Sequence, residues 1–454
     1  MNRDADKTRS VTTRSKQRAV PTSRAQRLGK FARLAGGVAG NMLAHGAAQL
    51  ATGKRPRVKD LLLTPKNAMR FTKQLAEMRG AAMKLGQILS MDTGDLLPQE
   101  LADILATLRN AGYAMPDTQL QEVLIDGLGP DYEKKLKGFE PRPFAAASIG
   151  QVHRLSTSDG RAAVLKVQYP GVRESIDSDV DNLASLLRVS GLLPKHMDMS
   201  PLLAEAKSQL HEEADYEQEA RYLNAFLRAL GDDERFLLPR VIPSLSSSRI
   251  LGMTFVPGQP IEDVAQADAS ERNRVAALLL ELFLVELFQL RLVQTDPNFA
   301  NYQYNPETGQ VVLLDFGASR RFKASLVQGY RNLLAGAVAG DRPAMIKSAK
   351  AIGYQLGPDN SSYQQTLLEL ADIALVPLTV NEPYDFGRSP IPQQLMQRIE
   401  PLRDNSRFWQ VPPIDVAYIH RKIGGLFMLA TRLSATVNVH ELMLPWVDEY
   451  DTAP

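Results

Sequence analysis

Residues 293–301 read Val293-Gln294-Thr295-Asp296-Pro297-Asn298-Phe299-Ala300-Asn301, and residues 314–317 read Leu314-Asp315-Phe316-Gly317. Asp296 and Asn301 stand five residues apart across a Pro-Asn turn, and Asp315 follows after a further apolar stretch. Carboxylate and amide oxygens are the hard donors that a small divalent cation prefers. Their order and spacing carry more than any one of them, because a three-residue string such as Asp-Phe-Gly recurs by chance.

Protein kinase-like folds use this arrangement. Their loop reads H-R-D-x-x-x-x-N, with D-F-G about twenty residues on; the loop Asp faces the acceptor, while the Asn and second Asp hold Mg²⁺. Here Gln294 and Thr295 stand where His and Arg would be, and the Asp-to-Asn step is intact. ATP and Mg²⁺ are the expected cofactors, with Asp296 as acceptor-orienting group and Asn301 and Asp315 as metal ligands.

Working outward, Ala162-Ala163-Val164-Leu165-Lys166 resembles the kinase strand whose Lys holds phosphates and pairs with a helix Glu. Its candidate partner lies in the acidic run Glu213-Ala214-Asp215-Tyr216-Glu217-Gln218-Glu219. Where kinases carry a Gly-rich loop, this chain has Ala145-Ala146-Ala147-Ser148-Ile149-Gly150-Gln151. Glycines let backbone N–H groups close over phosphates, whereas alanine Cβ atoms stiffen the loop and change its grip.

Local patterns predict a change of architecture near residue 139. Before it, Thr64-Pro65 starts a helix whose stripe Phe71, Leu75, Met78, Ala82, Leu85 and Leu89 recurs at helical steps. Lys84 and Gln87 share another face, and Gly86 between them permits a close approach. After it, short strands are expected at 144–149, 151–156, 161–168, 237–242 and 249–256, and helices at 175–189 and 201–230. Pro257-Gly258 reads as a hinge. The remainder reads as mainly helical, with loops at Asp296 and Asp315. The fold expected is α+β, a bilobal kinase-like chain with a small β-rich lobe and a larger helical lobe. Its divisions are a basic arm (1–27), a helical extension (28–116), a small lobe with a helical insertion (117–257) and a helical lobe (258–454).

These motifs together resemble the UbiB/ADCK (aarF-domain) family of atypical kinases. Lys84-Leu85-Gly86-Gln87 matches its K-x-G-Q signature, residues 145–151 its Ala-rich loop, and Lys166 its strand lysine. Glu213 and Asp215 match its E-x-D motif, Glu219 its helix glutamate, residues 294–301 its Q-T-D-P-N-x-x-N loop, and residues 315–317 its D-F-G. The helix at Tyr418-Ile419-His420-Arg421-Lys422 also looks familial. The resemblance implies that the K-x-G-Q helices fold over the active site, with Lys84, Gln87, Glu213 and Asp215 in regulatory roles. It implies support of isoprenoid-quinone (ubiquinone-type) biosynthesis, with quinone precursors and quinone-biosynthesis proteins as partners.

After Asp315-Phe316-Gly317 the chain runs through Ala318-Ser319-Arg320-Arg321 toward a helix near Ala324, and no A-P-E follows. That leaves no room for a long activation segment and argues against peptide phosphorylation. An ATPase or small-molecule kinase is the leading reading. A protein kinase, or a non-catalytic nucleotide-gated lipid- or protein-binding module, are the alternatives.

Composition narrows the setting. The 454 residues carry a net charge of +2, yet residues 1–33 hold ten Lys/Arg against two Asp, leaving the remainder near −6. Residues 1–27 have little to form a core and read either as a solvated tail or as an electrostatic arm for an anionic membrane. No nucleic-acid partner is expected. The chain has no Cys, which excludes disulfides, and its six scattered His suggest no zinc site. Charged residues interrupt the two most apolar runs, 31–52 and 275–293, so packed helices are expected there instead of spans. The expected location is cytoplasmic, peripheral at a membrane, in a bacterial cell, with an organelle as the alternative.

Overall fold

The computed structural model describes Gly29 and residues 114–147, 149–157, 159–190, 200–356, 361–400 and 413–447. The arm, the 31–52 run, Lys84, Gln87 and Ser148 lie outside the described residues. Among helices of ten or more residues and the strands, the chain runs α1 (Asp117–Leu128), β1 (Ala145–Ala146), β2 (Gly150–Ser156), β3 (Ala162–Gln168), α2 (Val172–Ser190), α3 (Ser200–Glu213), α4 (Tyr216–Leu230), β4 (Phe236–Leu237) and β5 (Ile250–Thr254). There follow β6 (Gln259–Pro260), α5 (Ala269–Leu284), β7 (Leu292–Gln294), β8 (Tyr302–Asn305), β9 (Gln310–Leu313), β10 (Ser319–Arg321), α6 (Ala324–Val338), α7 (Arg342–Ala351), α8 (Ser362–Ala374), β11 (Tyr384–Asp385), α9 (Ile414–Arg432) and β12 (Thr436–Val437).

Two compact units divide the chain, Met1–Ala220 with Val241–Phe255, and Arg221–Arg240 with Val256–Pro454. Residues 221–240, placed in the small lobe by the sequence pattern, fall with the second unit. There β4 pairs parallel to β9, and Phe226 packs on Phe316 with ring centroids 4.9 Å apart.

The first unit is built on an antiparallel sheet in the order β1-β2-β3-β5. Strand alternation puts Ala163, Leu165 and Val167 on one buried face of β3, which leaves Lys166 pointing the other way. His153 on β2 is fully buried in a polar line. Gln151 accepts the Met115 N–H at 3.0 Å, its amide donates to His153 Nε2, and Nδ1 donates to the Glu140 carbonyl. Burial pushes the His153 imidazole below its ordinary value, which keeps it neutral in this line.

The pattern at 201–230 suggested one helix; the structure has two, α3 and α4, meeting at Ala214-Asp215. Asp215 Oδ1 accepts the Gln218 N–H at 2.8 Å, so the side chain caps α4 and competes with a continuous helix. β3 is tied to the junction by Gln168, whose amide donates to the Ala214 carbonyl at 3.0 Å.

In the second unit β4, β9, β8 and β6 form a second sheet, and β7 pairs with β10. The expected helix at 275–293 is also revised. Asp268 caps α5 at its start, but α5 gives way to a π-helical turn at Val285–Leu290, Arg291 turns left-handed at φ 50°, and the chain leaves as β7. Pairing of Leu292, Val293 and Gln294 with β10 overrides the helical pattern, and the wide turn is the insertion that lets the chain depart. Among the described residues no helix is long and apolar enough to cross a membrane.

That turn carries Glu286 into the core, where Lys422 of α9 meets it at 3.3 Å with both side chains almost wholly buried. Lys422 Nζ also donates to the Tyr302 hydroxyl at 2.6 Å and to Gln294 Oε1 at 3.4 Å. Burial raises the Glu286 carboxyl against the pull of Lys422. For Lys422 burial acts downward, but Glu286 and Tyr302 outweigh it and hold the ammonium above its ordinary value. Removing one member leaves a desolvated charge. Lys422→Met should therefore lower stability by ~3–5 kcal/mol, and adding Glu286→Gln should restore much of it. Urea unfolding of the two variants checks this; equal losses in both would exclude a working ion pair.

Candidate nucleotide site

On the first unit, β3 places Lys166 between Val152 of β2 and Leu251 of β5. Its ammonium donates to both Glu219 oxygens, at 2.8 and 2.9 Å, with Glu219 1% exposed. The bidentate geometry follows from the cap: Asp215 fixes the first turn of α4, its carbonyl accepts the Glu219 N–H at 3.0 Å, and Glu219 then faces β3 one turn on. The Tyr216 ring centroid lies 5.2 Å from the Lys166 ammonium and adds a cation–π contact.

Ala145 and Ala146 are exposed on β1, and the Ala147 N–H closes the hairpin onto the Gly150 carbonyl at 2.9 Å. Gly150 is required there, since a Cβ would sit 2.4 Å from the Val167 carbonyl oxygen and 2.8 Å from the Tyr216 hydroxyl. Glu213 closes α3, and Asp215 is the cap just described. Ser148 is the one residue of the Ala-rich run outside the description, and Lys84 and Gln87 share that status.

On the second unit, the sequence brings Asp296 and Asn301 together as the spacing implied. Asn301 Nδ2 donates to Asp296 Oδ2 at 3.2 Å and to its backbone carbonyl at 3.3 Å. Asn298 caps the short turn Phe299–Asn301 by accepting the Ala300 N–H. The β8–β9 register pairs Tyr302 with Leu313, and the Leu314 N–H donates to the Asn301 carbonyl at 3.1 Å. Asp315 therefore follows directly on the residue bonded to Asn301. Asp315 Oδ1 accepts the Gly317 N–H at 2.9 Å, and Phe316 is buried against Phe226.

The departures from the kinase pattern have visible roles. Thr295 donates both its N–H and its hydroxyl to the Ala318 carbonyl, tying the Asp296 loop to the strand after Phe316-Gly317. Gln294 accepts from Lys422. Only residues 318–323 separate Gly317 from α6, so the long activation segment is absent.

Sequence reasoning missed the partners supplied by α9. Arg421 Nη2 lies 3.4 Å from Asp296 Oδ1. Gly425 packs so close that a Cβ would meet Pro297 Cβ at 2.0 Å. The signal was present as Lys422 within the buried stripe Val416, Ile419, Leu426 and Leu429, and as Glu286 within an apolar run.

A match to the ABC1 atypical kinase-like domain spans residues 107–349. The mitochondrial atypical kinase COQ8 of Saccharomyces cerevisiae is 37% identical over 435 residues, covering 94% of this chain and 85% of the yeast protein. The mitochondrial atypical kinase COQ8B of Danio rerio is 35% identical over 442 residues, covering 96% and 70%. Rv3197 of Mycobacterium tuberculosis, solved with erythromycin, superposes with a TM-score of 0.57 at 24% identity, over 84% of this chain and 96% of that one, a likeness in fold. The chain belongs to the ABC1 atypical kinase-like family, the UbiB/ADCK group its motifs resemble, and has its kinase-like α+β fold. The relatives' names are mitochondrial, and the comparisons do not support the bacterial source expected above.

If Asp215 acts as a cap, Asp215→Ala should cost about 1 kcal/mol, whereas Asp215→Ser should retain most of the stability. Thermal unfolding reads this directly, and an unchanged Asp215→Ala would assign the carboxylate elsewhere.

Proposed function

We propose that the chain is an ATP-dependent enzyme, an ATPase or small-molecule kinase, that supports isoprenoid-quinone biosynthesis at a membrane surface. The observation that carries the enzymatic part is the fixed group of Asp296, Asn301 and Asp315, joined through the Leu314–Asn301 backbone bond. In phosphoryl transfer the protein mainly positions groups and neutralises charge, and such a group does both.

The residues fit Mg²⁺. Asn301 spends its amide N–H on Asp296, which leaves its amide oxygen as the donor, and Asp315 adds a carboxylate. One or two carboxylate or amide ligands completed by phosphate oxygens is the usual protein share for this ion. When bound, Mg²⁺ would neutralise phosphate charge. Lys166, oriented by Glu219, would contact phosphates; Ala145, Ala146, Ala147 and Ser148 would border them; Asp296 would orient the acceptor hydroxyl or water. Lys84, Gln87, Glu213 and Asp215 would regulate access, Asp215 through the helix start it fixes.

The short stretch 318–323 supports a small acceptor over a peptide. The quinone link rests on the family, whose COQ8 members are the relatives reported above. The basic arm supports attachment to anionic lipid, each Lys or Arg near such a surface being worth ~1 kcal/mol.

Asp315→Asn should lower Mg-dependent ATP turnover 10²–10³-fold, roughly 3–4 kcal/mol, with little change in melting temperature. Turnover measured with and without anionic vesicles and a phenolic quinone precursor tests the wider reading. Stimulation by either supports it, transfer to protein selects a protein kinase, and nucleotide binding without turnover selects a binding module.

A further inference from the structure

The Asp296 loop has no cation of its own, because Thr295 occupies the position at which kinases carry Arg. A cation reaches it from α9, 125 residues downstream. One face of α9 presents Asp415, Tyr418, Arg421, Lys422 and Gly425, at steps that return to the same side of a helix. Every one of them meets the segments that carry the site. Asp415 pairs with Arg320 of β10 at 3.2 Å, and the Arg320 guanidinium lies 4.3 Å from the Tyr418 ring centroid. β10 pairs with β7, the strand that feeds Asp296. Lys422 holds Gln294 and Tyr302 at the two ends of the loop. Gly425 seats Pro297, the residue after Asp296.

Arg421 is placed on the side chain that matters most. Its Nη2 lies 3.4 Å from Asp296 Oδ1, the two side chains being 7% and 16% exposed. The other carboxylate oxygen, Oδ2, is held by Asn301 at 3.2 Å. An amide on one oxygen and a guanidinium on the other fix the plane of the carboxylate. A contact of 3.4 Å is of the kind that tightens once an acceptor is bound.

We propose that Arg421 is a positioning residue for phosphoryl transfer, a cation supplied by α9 that fixes the orientation of Asp296 toward its acceptor. This rests on the reading of Asp296 as the acceptor-orienting group. Arg421 touches no reacting atom in it; it acts through Asp296 and belongs to the orientation that converts a bound acceptor into a reactive one. Misplacement of a group by about 1 Å is enough to cost ~10²-fold in rate.

The test is steady-state ATP turnover by the full chain in Arg421→Ala, Arg421→Gln, Arg421→Lys, Asp296→Asn and the double variant Arg421→Ala/Asp296→Asn. Melting temperatures are recorded for all. In Arg421→Ala, kcat should fall about 10–10²-fold with KM for Mg-ATP within roughly twofold, the mark of an interaction made in the transition state. Arg421→Lys, which keeps the charge but not the planar fork, should recover part of the loss. In the Asp296→Asn background, Arg421→Ala should cost nothing further. If Arg421→Ala does not fold, the same kinetics are read on Arg421→Gln, which keeps the first part of the stem and a polar end but no charge. A raised KM at unchanged kcat, or an equal loss in the Asp296→Asn background, overturns the proposal. So does wild-type turnover in both neutral variants. A wild-type chain that turns over no ATP overturns the enzymatic reading above and this proposal with it.

Discussion

A desolvated ammonium cannot be left alone in a protein core, and Lys422 imposes that constraint on the second unit. Its compensation by Glu286, Tyr302 and Gln294 ties α9 to three successive segments more than a hundred residues upstream: the π-helical turn after α5, the end of β7 and the start of β8. Apolar packing alone would tolerate a slide of α9 by part of a turn. A buried ion pair tolerates it much less, because each partner depends on the other for its solvation. With Lys422 placed, Arg421 and Gly425 are placed too, one residue before and three after, and the Asp296 loop receives its shape.

Much of the site was legible because its residues lie close in sequence or in register. Asp296 and Asn301 share one loop, and the β8–β9 hairpin returns Asp315 to Asn301, so the spacing predicted the juxtaposition. Lys166 and Glu219 were legible through pattern: a Lys within an apolar strand and a distant acidic helix. Hidden from the sequence was everything that depends on the packing of α9. The step from Asp296 to Arg421 has no local signature, and a Lys in an apolar stripe reads as an anomaly until its partner Glu286 is found in another. The helix at 201–230 and the run at 275–293 failed for related reasons. In the first a short side chain, Asp215, outcompeted helical continuation; in the second a strand pairing did.

The two departures from the kinase loop pattern also compensate one another. Thr295 carries no charge, but its N–H and hydroxyl converge on the Ala318 carbonyl and tie the loop to the strand following Phe316-Gly317. The charge that a kinase would carry in that loop arrives on α9. The contacts are thus divided between a hydroxyl that ties down the backbone and a guanidinium that faces the carboxylate.

Gly425 and Pro297 meet with no space for another atom between them, a Cβ on the first falling 2.0 Å from the second. Such a contact links the histories of two positions that share no sequence neighbourhood. A larger residue at 425 could be accepted only after 297 had shrunk, and a return to Pro would then be closed off. The pair would be inherited as a single character, and each would record in a lineage what the other had become.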